Sequence, residues 1–270
     1  MTRSTLVAVP AYGSPALTDS VLGDLALDGS NRRDDVRIVV VDNAGDYEQT
    51  TGQGAPAVVE VHRSGRNLRW IGSANWALAA AVEGGFDTCV VLNNDVRLST
   101  GFLDALVAPL VTQDDVALVA ACYDDFWLHQ RAREIPSTAA EYVPRGTLRD
   151  VPFCDGTAIA FDASLVLGLG GLDEQAFPRH GYGSDIDLAL RVREAGLRCV
   201  VTEAAYVSHL RRATMDRLGE TSEANRAEIL DGMTGKWGPD WRAAAGLGPD
   251  SFPAHNTGSA TSWYLDPEQW

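Results

Sequence analysis

Apolar residues in the first hundred positions gather into short, valine-rich, nearly continuous runs at 5–9, 36–41, 58–61 and 88–92. Runs of that length without polar alternation predict strands covered on both faces. Between them the period changes. Leu17, Val21, Leu22 and Leu25 share one face of a predicted helix over 17–27, and Ile71, Asn75, Leu78 and Val82 share a face of the next. This alternation predicts an α/β fold, a mostly parallel sheet with helices on both sides. A helix at 102–110 and a strand at 116–121 continue it.

Beyond Cys122 the character changes. Tyr123-Asp124-Asp125-Phe126-Trp127-Leu128-His129 mixes aromatic and polar groups, and a loop-like stretch follows through Pro136 and Pro144. Strands are expected again at 151–154 and 157–161, then a glycine-rich turn at 168–171 leading to Asp173. A helix over about 184–195 ends on Gly196, whose bare backbone suits a left-handed cap. After strand-like runs at 198–202 and 205–208, a helical tail is predicted from Ser222 and a loosely structured extension from Gly246.

The formal net charge of −15 comes from 37 acidic and 22 basic residues, with no Lys/Arg block that could track a phosphate backbone. Nucleic acid is therefore not an expected partner. The same balance would repel an anionic small substrate unless a cation or local arginines offset it. Cys89, Cys122, Cys154 and Cys199 have no Cys-x-x-Cys spacing, so buried thiols are expected rather than a zinc site or disulfides. No run approaches a membrane span, and the apolar stretch before Pro10 is too short for a signal peptide. The expectation is a cytoplasmic protein.

Several predicted strands end in polar groups. Pro10-Ala11-Tyr12-Gly13 follows the first, Asp42-Asn43-Ala44-Gly45 the second and Asn93-Asn94-Asp95 the fourth, while Gly181-Tyr182-Gly183-Ser184-Asp185 opens a helix. Alone, each reads as a turn or a helix start. In an open sheet the ends share one rim and converge on one crevice, where ligands bind. Asp95 is placed to anchor a magnesium- or manganese-type cation, which takes one or two protein carboxylates and fills its shell with water and phosphate oxygens.

With these motifs the chain resembles a family 2 glycosyltransferase of the GT-A fold, over roughly residues 5–209. The resemblance rests on the Val-Pro-Ala-Tyr start, Val41-Asp42-Asn43, Asn67 through Gly72 to Asn75, Leu92-Asn93-Asn94-Asp95, Asp155-Gly156, the turn from Gly170 to Glu174, Asp185-Ile186-Asp187-Leu188 with Arg191, and His209. It implies that Asp42 reads the base, Asp95 contacts metal and diphosphate, Asp185 is the general base, and His209 completes the metal site. Pro10, Ala11, Tyr12, Asn67, Gly72, Asn75, Asn93 and Asn94 are the further donor-side candidates. Trp127, Asp155, Gly156, Tyr182 and Ser184 are the acceptor-side ones. Tyr123, Trp237 and Trp241 are additional aromatic candidates for contact with the acceptor. A histidine ligand would favour manganese over magnesium.

The implied organisation is a catalytic domain over 1–215, with a nucleotide-binding half to about 97 and an acceptor half beyond it, and a helical extension over 216–270. The implied reaction is inverting transfer of a sugar from a UDP, dTDP or GDP donor to an acceptor hydroxyl. Trp263-Tyr264 and the terminal Trp270 fit either a cap over the site or a subunit contact such as a homodimer. Two features depart from the family pattern: Ser184 stands where a Glu is usual, and Arg66, Arg69 and Trp70 replace small or apolar residues. The rival readings are a sugar-phosphate nucleotidyltransferase and a non-catalytic nucleotide-sugar binding protein. The former would want a basic glycine-rich loop after the first strand, and 10–17 has no Lys or Arg.

Overall fold

Thr5–Ala11 (β1), Val36–Asp42 (β2) and Thr88–Leu92 (β4) are apolar runs of the sequence, and they lie side by side in the sheet with β1 between the other two. Their alternate side chains face opposite layers, which is why the runs are nearly free of polar positions. Leu6, Ala8, Cys89 and Val91 pack with Ile71 and Leu78 of the helix Arg69–Glu83 (α2). Val7, Val9, Val90 and Leu92 pack on the other side. They meet Leu22 and Leu25 of Pro15–Leu27 (α1) and Leu106 of Phe102–Thr112 (α3). This computed structural model describes residues 3–49, 59–125, 127–210 and 222–247.

Among the described residues the remaining strands are Glu60–Arg63 (β3), Val96–Leu98 (β5), Val116–Tyr123 (β6), Leu148–Asp150 (β7), Ala158–Asp162 (β8) and Arg198–His209 (β9). The order across the sheet is β3-β2-β1-β4-β8-β6-β9-β5, with β7 on β9. The α/β expectation holds, and β3, β2, β1 and β4 are parallel. Past β4 the sheet is mixed, because β8 runs antiparallel to both β4 and β6. Helices Ala163–Gly168 (α4), Ser184–Glu194 (α5), Ser222–Trp237 (α6) and Trp241–Ala244 (α7) are the remaining α-helices among the described residues.

Three expectations change. The strand expected at 151–154 is a loop, since Pro152 has no N–H for a ladder, and the paired segment lies just upstream as β7. The two runs at 198–202 and 205–208 are one strand, β9, whose register against β6 shifts between Ala121 and Cys122. Val58 lies outside the described residues, and β3 is a half-exposed edge. Cys89, Cys122, Cys154 and Cys199 are buried free thiols as expected. No described helix is long and apolar enough to cross a membrane. Trp263, Tyr264 and Trp270 lie outside the described residues.

Candidate active site

The donor-side turns meet at the ends of the parallel strands. Ala11 at the end of β1 is paired with Asp42 at the end of β2, and the Ala11 carbonyl accepts from the Asn43 N–H at 2.9 Å. Pro10 and Tyr12 are half-buried on either side of Ala11. Asp42 is buried and heavily bonded. Its Oδ1 accepts from the N–H of Ala44 (3.2 Å) and Gly45 (2.8 Å), and its Oδ2 from Tyr47 N–H (3.2 Å) and Arg63 Nη1 (2.9 Å). Four donors fill the usual lone-pair directions of a carboxylate. Asp42 thus holds the turn and the side chain of Arg63, and a base-reading contact would have to share oxygens already in use.

Asn43 connects this turn to α2: its Oδ1 accepts from Leu68 N–H and its Nδ2 donates to Ser73 Oγ, at 3.0 and 2.9 Å. Asn67 is exposed and accepts from Arg69 N–H at 2.8 Å. Arg69, at φ 60, occupies left-handed backbone that a side chain seldom adopts. Gly72 and Asn75 lie against the turn after α4. Asn75 donates to Leu172 O (2.9 Å) and Glu174 Oε1 (2.8 Å) and accepts from Leu172 N–H (2.8 Å). A Cβ on Gly72 would lie 3.5 Å from Glu174 Oε2. Asn75 fastens α2 to the turn after α4, and the bare backbone of Gly72 lets Glu174 approach.

Asn93, Asn94 and Asp95 separate in function along the β4–β5 connection. Asn93 N–H donates to Thr157 O at 3.0 Å, and Asn94 is buried with Nδ2 on Thr18 Oγ1 at 3.1 Å. Asp95 is aimed by sheet register: Val96 pairs with His209, so Asp95 sits beside the end of β9. His209 Nε2 lies 3.2 Å from Asp95 Oδ1, and its Nδ1 lies 2.7 Å from Asp125 Oδ2. Burial alone would lower the His209 pKa, but the two carboxylates outweigh it and hold it well above the usual value. Asp125 was not singled out as a site residue; the acidic Asp124-Asp125 step directly after β6 is the signal that could have found it.

A second pair of carboxylates lies on the same rim. Asp155 Oδ1 accepts from the N–H and the hydroxyl of Thr157, and burial and then Asp125 raise its pKa. Asp185, in the first turn of α5, is raised from 3.8 to about 7 by burial and then by Asp155. Gly156 lies under the Trp70 ring, which leaves no space for a side chain there.

Ser184 is fully buried and donates from Oγ to Gly181 O at 2.6 Å, which ties the loop to the start of α5. Trp127 packs edge-on against Phe153 (4.9 Å), and Tyr182 is half-buried beside His180. Tyr123 and Trp241 are core residues with no exposed face, and Trp237 spends its indole N–H on Asp187 Oδ1 at 2.8 Å. Among the aromatic candidates, Trp127 and Tyr182 retain exposed surface on the site loops.

Gly181 adopts φ 89, and a Cβ there would lie 2.6 Å from Ile71 Cβ. Gly181→Ala is therefore expected to destabilise the chain by about 1–3 kcal/mol, through strain and overpacking together. Thermal denaturation should record a drop of several degrees.

No protein-family model matches the chain. It is 34% identical over 211 residues to the uncharacterized protein Rv1525 of Mycobacterium tuberculosis and equally to Mb1552 of Mycobacterium bovis, covering 78% of this chain and 76% of each relative. The chain belongs to their family. Neither relative's name carries an activity. The Pre-mycofactocin glycosyltransferase of Mycobacterium tuberculosis is 28% identical over 199 residues, covering 67% of this chain and 38% of that protein.

The solved structure of GalNAc-T7 with UDP, GalNAc and Mn2+ superposes with a TM-score of 0.56 at 13% identity, covering 77% of this chain and 44% of that one. Glucosyl-3-phosphoglycerate synthase of Mycobacterium tuberculosis, with Mn2+, UDP-glucose and phosphoglyceric acid, superposes at 0.53 with 18% identity, covering 92% and 82%. At such identities the likeness shows the fold, and the family member has a GT-A-like glycosyltransferase fold.

The donor set suits a divalent cation. Among the described residues no group of three His, Cys, Asp or Glu side chains forms a cation site by itself. Asp95 and His209 nevertheless stand together, and Asp125 holds the far ring nitrogen, an arrangement that orients a histidine ligand. Two protein ligands are the usual complement where phosphate oxygens supply the rest.

Proposed function

We propose that this protein is an inverting, metal-dependent glycosyltransferase of the family 2 type, moving a sugar from a nucleoside-diphosphate donor to an acceptor hydroxyl. The observation that carries the reading is the electrostatic chain along one rim. Asp95 and Asp125 both act on His209, Asp125 raises Asp155, and Asp155 raises Asp185. Acidic side chains from the β4–β5 connection, the loops after β6 and before β8, and the first turn of α5 thus lie within electrostatic reach of one another. Asp95 and His209 would hold the cation, which supplies positive charge against the departing diphosphate. Asp185 takes the proton of the acceptor hydroxyl, so that oxygen attacks the anomeric carbon as the bond to the diphosphate breaks. One displacement inverts that carbon.

A base serves best when its pKa lies near the working pH. Asp185, pushed up to about 7, meets that condition without a histidine. Turnover is expected to rise with pH through about 7 and then level, as a pH–rate profile at saturating donor would record.

The test is release of nucleoside diphosphate from UDP-glucose, dTDP-glucose and GDP-mannose with manganese, water serving as acceptor. One donor is expected to turn over, chelator is expected to stop it, and the released sugar should carry the opposite anomeric configuration when first formed. Retained configuration would remove the single-displacement reading, and turnover indifferent to chelator would remove the metal.

A further inference from the structure

We propose that Glu228, on helix α6, is a positioning residue that fastens the backbone leading into Asp185. The inference rests on the reading of Asp185 as the base. Glu228 Oε1 accepts from the N–H groups of Arg179 (2.7 Å), His180 (3.0 Å) and Gly181 (3.2 Å), and Oε2 also accepts from His180 (3.0 Å). Successive N–H groups that turn toward one point make a concave region of partial positive charge that takes an anion. Here the chain supplies its own anion from 47–49 residues further on. At 6% exposed, that carboxylate gives up most of its hydration, and a buried charge persists only where such bonds replace water.

The loop needs this tie. Gly181 (φ 89) and Gly183 (φ 94) both occupy left-handed backbone, where the missing side chain leaves the path unrestrained by local sterics. Gly181 O in turn accepts from the N–H (3.0 Å) and Oγ (2.6 Å) of Ser184, the residue before Asp185. The order of contact is therefore Glu228, the 179–181 backbone, Ser184, and the first turn of α5.

Helix α6 grips α5 at a second point. Trp237 Nε1 donates to Asp187 Oδ1 at 2.8 Å and Lys236 Nζ lies 2.9 Å from it, two residues beyond Asp185. Close packing holds the middle, where Gly232 lies against Phe177 and a Cβ on Gly183 would come within 2.9 Å of the same ring. The sequence presents α6 as an appendage after the catalytic residues, yet its contacts converge on the segment that carries the base. A misplaced base loses rate steeply, because reacting atoms must be held to within about an ångström. Among the described residues Glu228 bonds the 179–181 backbone and none of the turns after β1, β2 and β4, so donor affinity should survive its loss.

The test compares Glu228→Ala and Glu228→Gln with wild type and with Asp185→Asn. Two readouts are used: amide hydrogen exchange over 177–190 and manganese-dependent hydrolysis of the three donors named above. Glu228→Ala is expected to raise exchange in that segment at least tenfold and to lower kcat about 10- to 100-fold at a donor KM within about twofold. The acid limb of kcat should move to lower pH as water reaches Asp185. Glu228→Gln, which keeps one oxygen on the loop, should recover part of the rate.

If Glu228→Ala fails to fold, Glu228→Gln is read alone: a reduced kcat with a displaced limb supports the proposal. Wild-type exchange and an unmoved limb in the folded variant overturn it. So does a rate loss that only follows the folded fraction. Wild-type turnover in Asp185→Asn removes the base reading itself, whereas an inactive Asp185→Asn beside wild-type-like Glu228 variants removes this inference alone.

Discussion

Asp185→Asn is expected to lower turnover by about 10²–10⁴-fold, the usual contribution of a positioned general base, while making the protein more stable at pH 8. The two effects share one cause. Burial first and Asp155 second penalise the charged carboxylate, lifting its pKa from 3.8 to about 7 in the folded chain. Between those values the folded state binds a proton that the unfolded state has released, so stability falls as pH rises. Above pH 7 the full cost is present, and an uncharged amide removes it. The melting-temperature gain of Asp185→Asn should therefore be clear at pH 8, shrink through pH 6 and vanish near pH 4. Melting curves at those values, set beside donor hydrolysis, check both halves. A variant that loses activity and also loses stability at pH 8 would mean that Asp185 is a structural carboxylate held by its partners.

Asp95→Asn is expected to have the next largest effect, a loss of about 10²–10³-fold in turnover, comparable to removal of one strong stabiliser of transition-state charge. The fold should tolerate it, because His209 keeps its 2.7 Å contact with Asp125. Manganese titration of hydrolysis would separate the causes: a weakened metal site shows a raised half-saturating concentration, whereas a misfolded variant shows a lowered plateau at every concentration. His209→Ala should behave in the same direction.

The central strands were legible because burial on both faces leaves an unmistakable mark, as in Thr88–Leu92, where every residue is buried. Asp95 was legible because polar residues halt that strand abruptly. Its neighbour His209 was legible only through family resemblance, since the pairing of Val96 with His209 is a long-range register that no local pattern encodes. Asp125 was missed for the same reason. Asn75 shows the converse: its place on an apolar helix face demanded a partner, and the sequence could not say that the partner is the 172–174 turn. The turn reading of Asp42 was legible locally, as its bonds to the Ala44 and Gly45 N–H groups show, whereas its contact with Arg63, at the end of the neighbouring edge strand, follows from a pairing no local pattern encodes. Glu228 had no signal at all, because its ligands are backbone N–H groups, which every residue but proline carries.

The account depends on Asp95 and His209 binding a cation together with a nucleoside diphosphate, and calorimetric titration tests this most directly. UDP, dTDP and GDP should each be titrated into the wild-type chain with and without manganese. One nucleotide is expected to bind at least tenfold more tightly when the metal is present, a gain of about 1.4 kcal/mol or more, and Asp95→Asn should abolish the difference. Equal affinity for all three with and without manganese, or no binding at all, would contradict it.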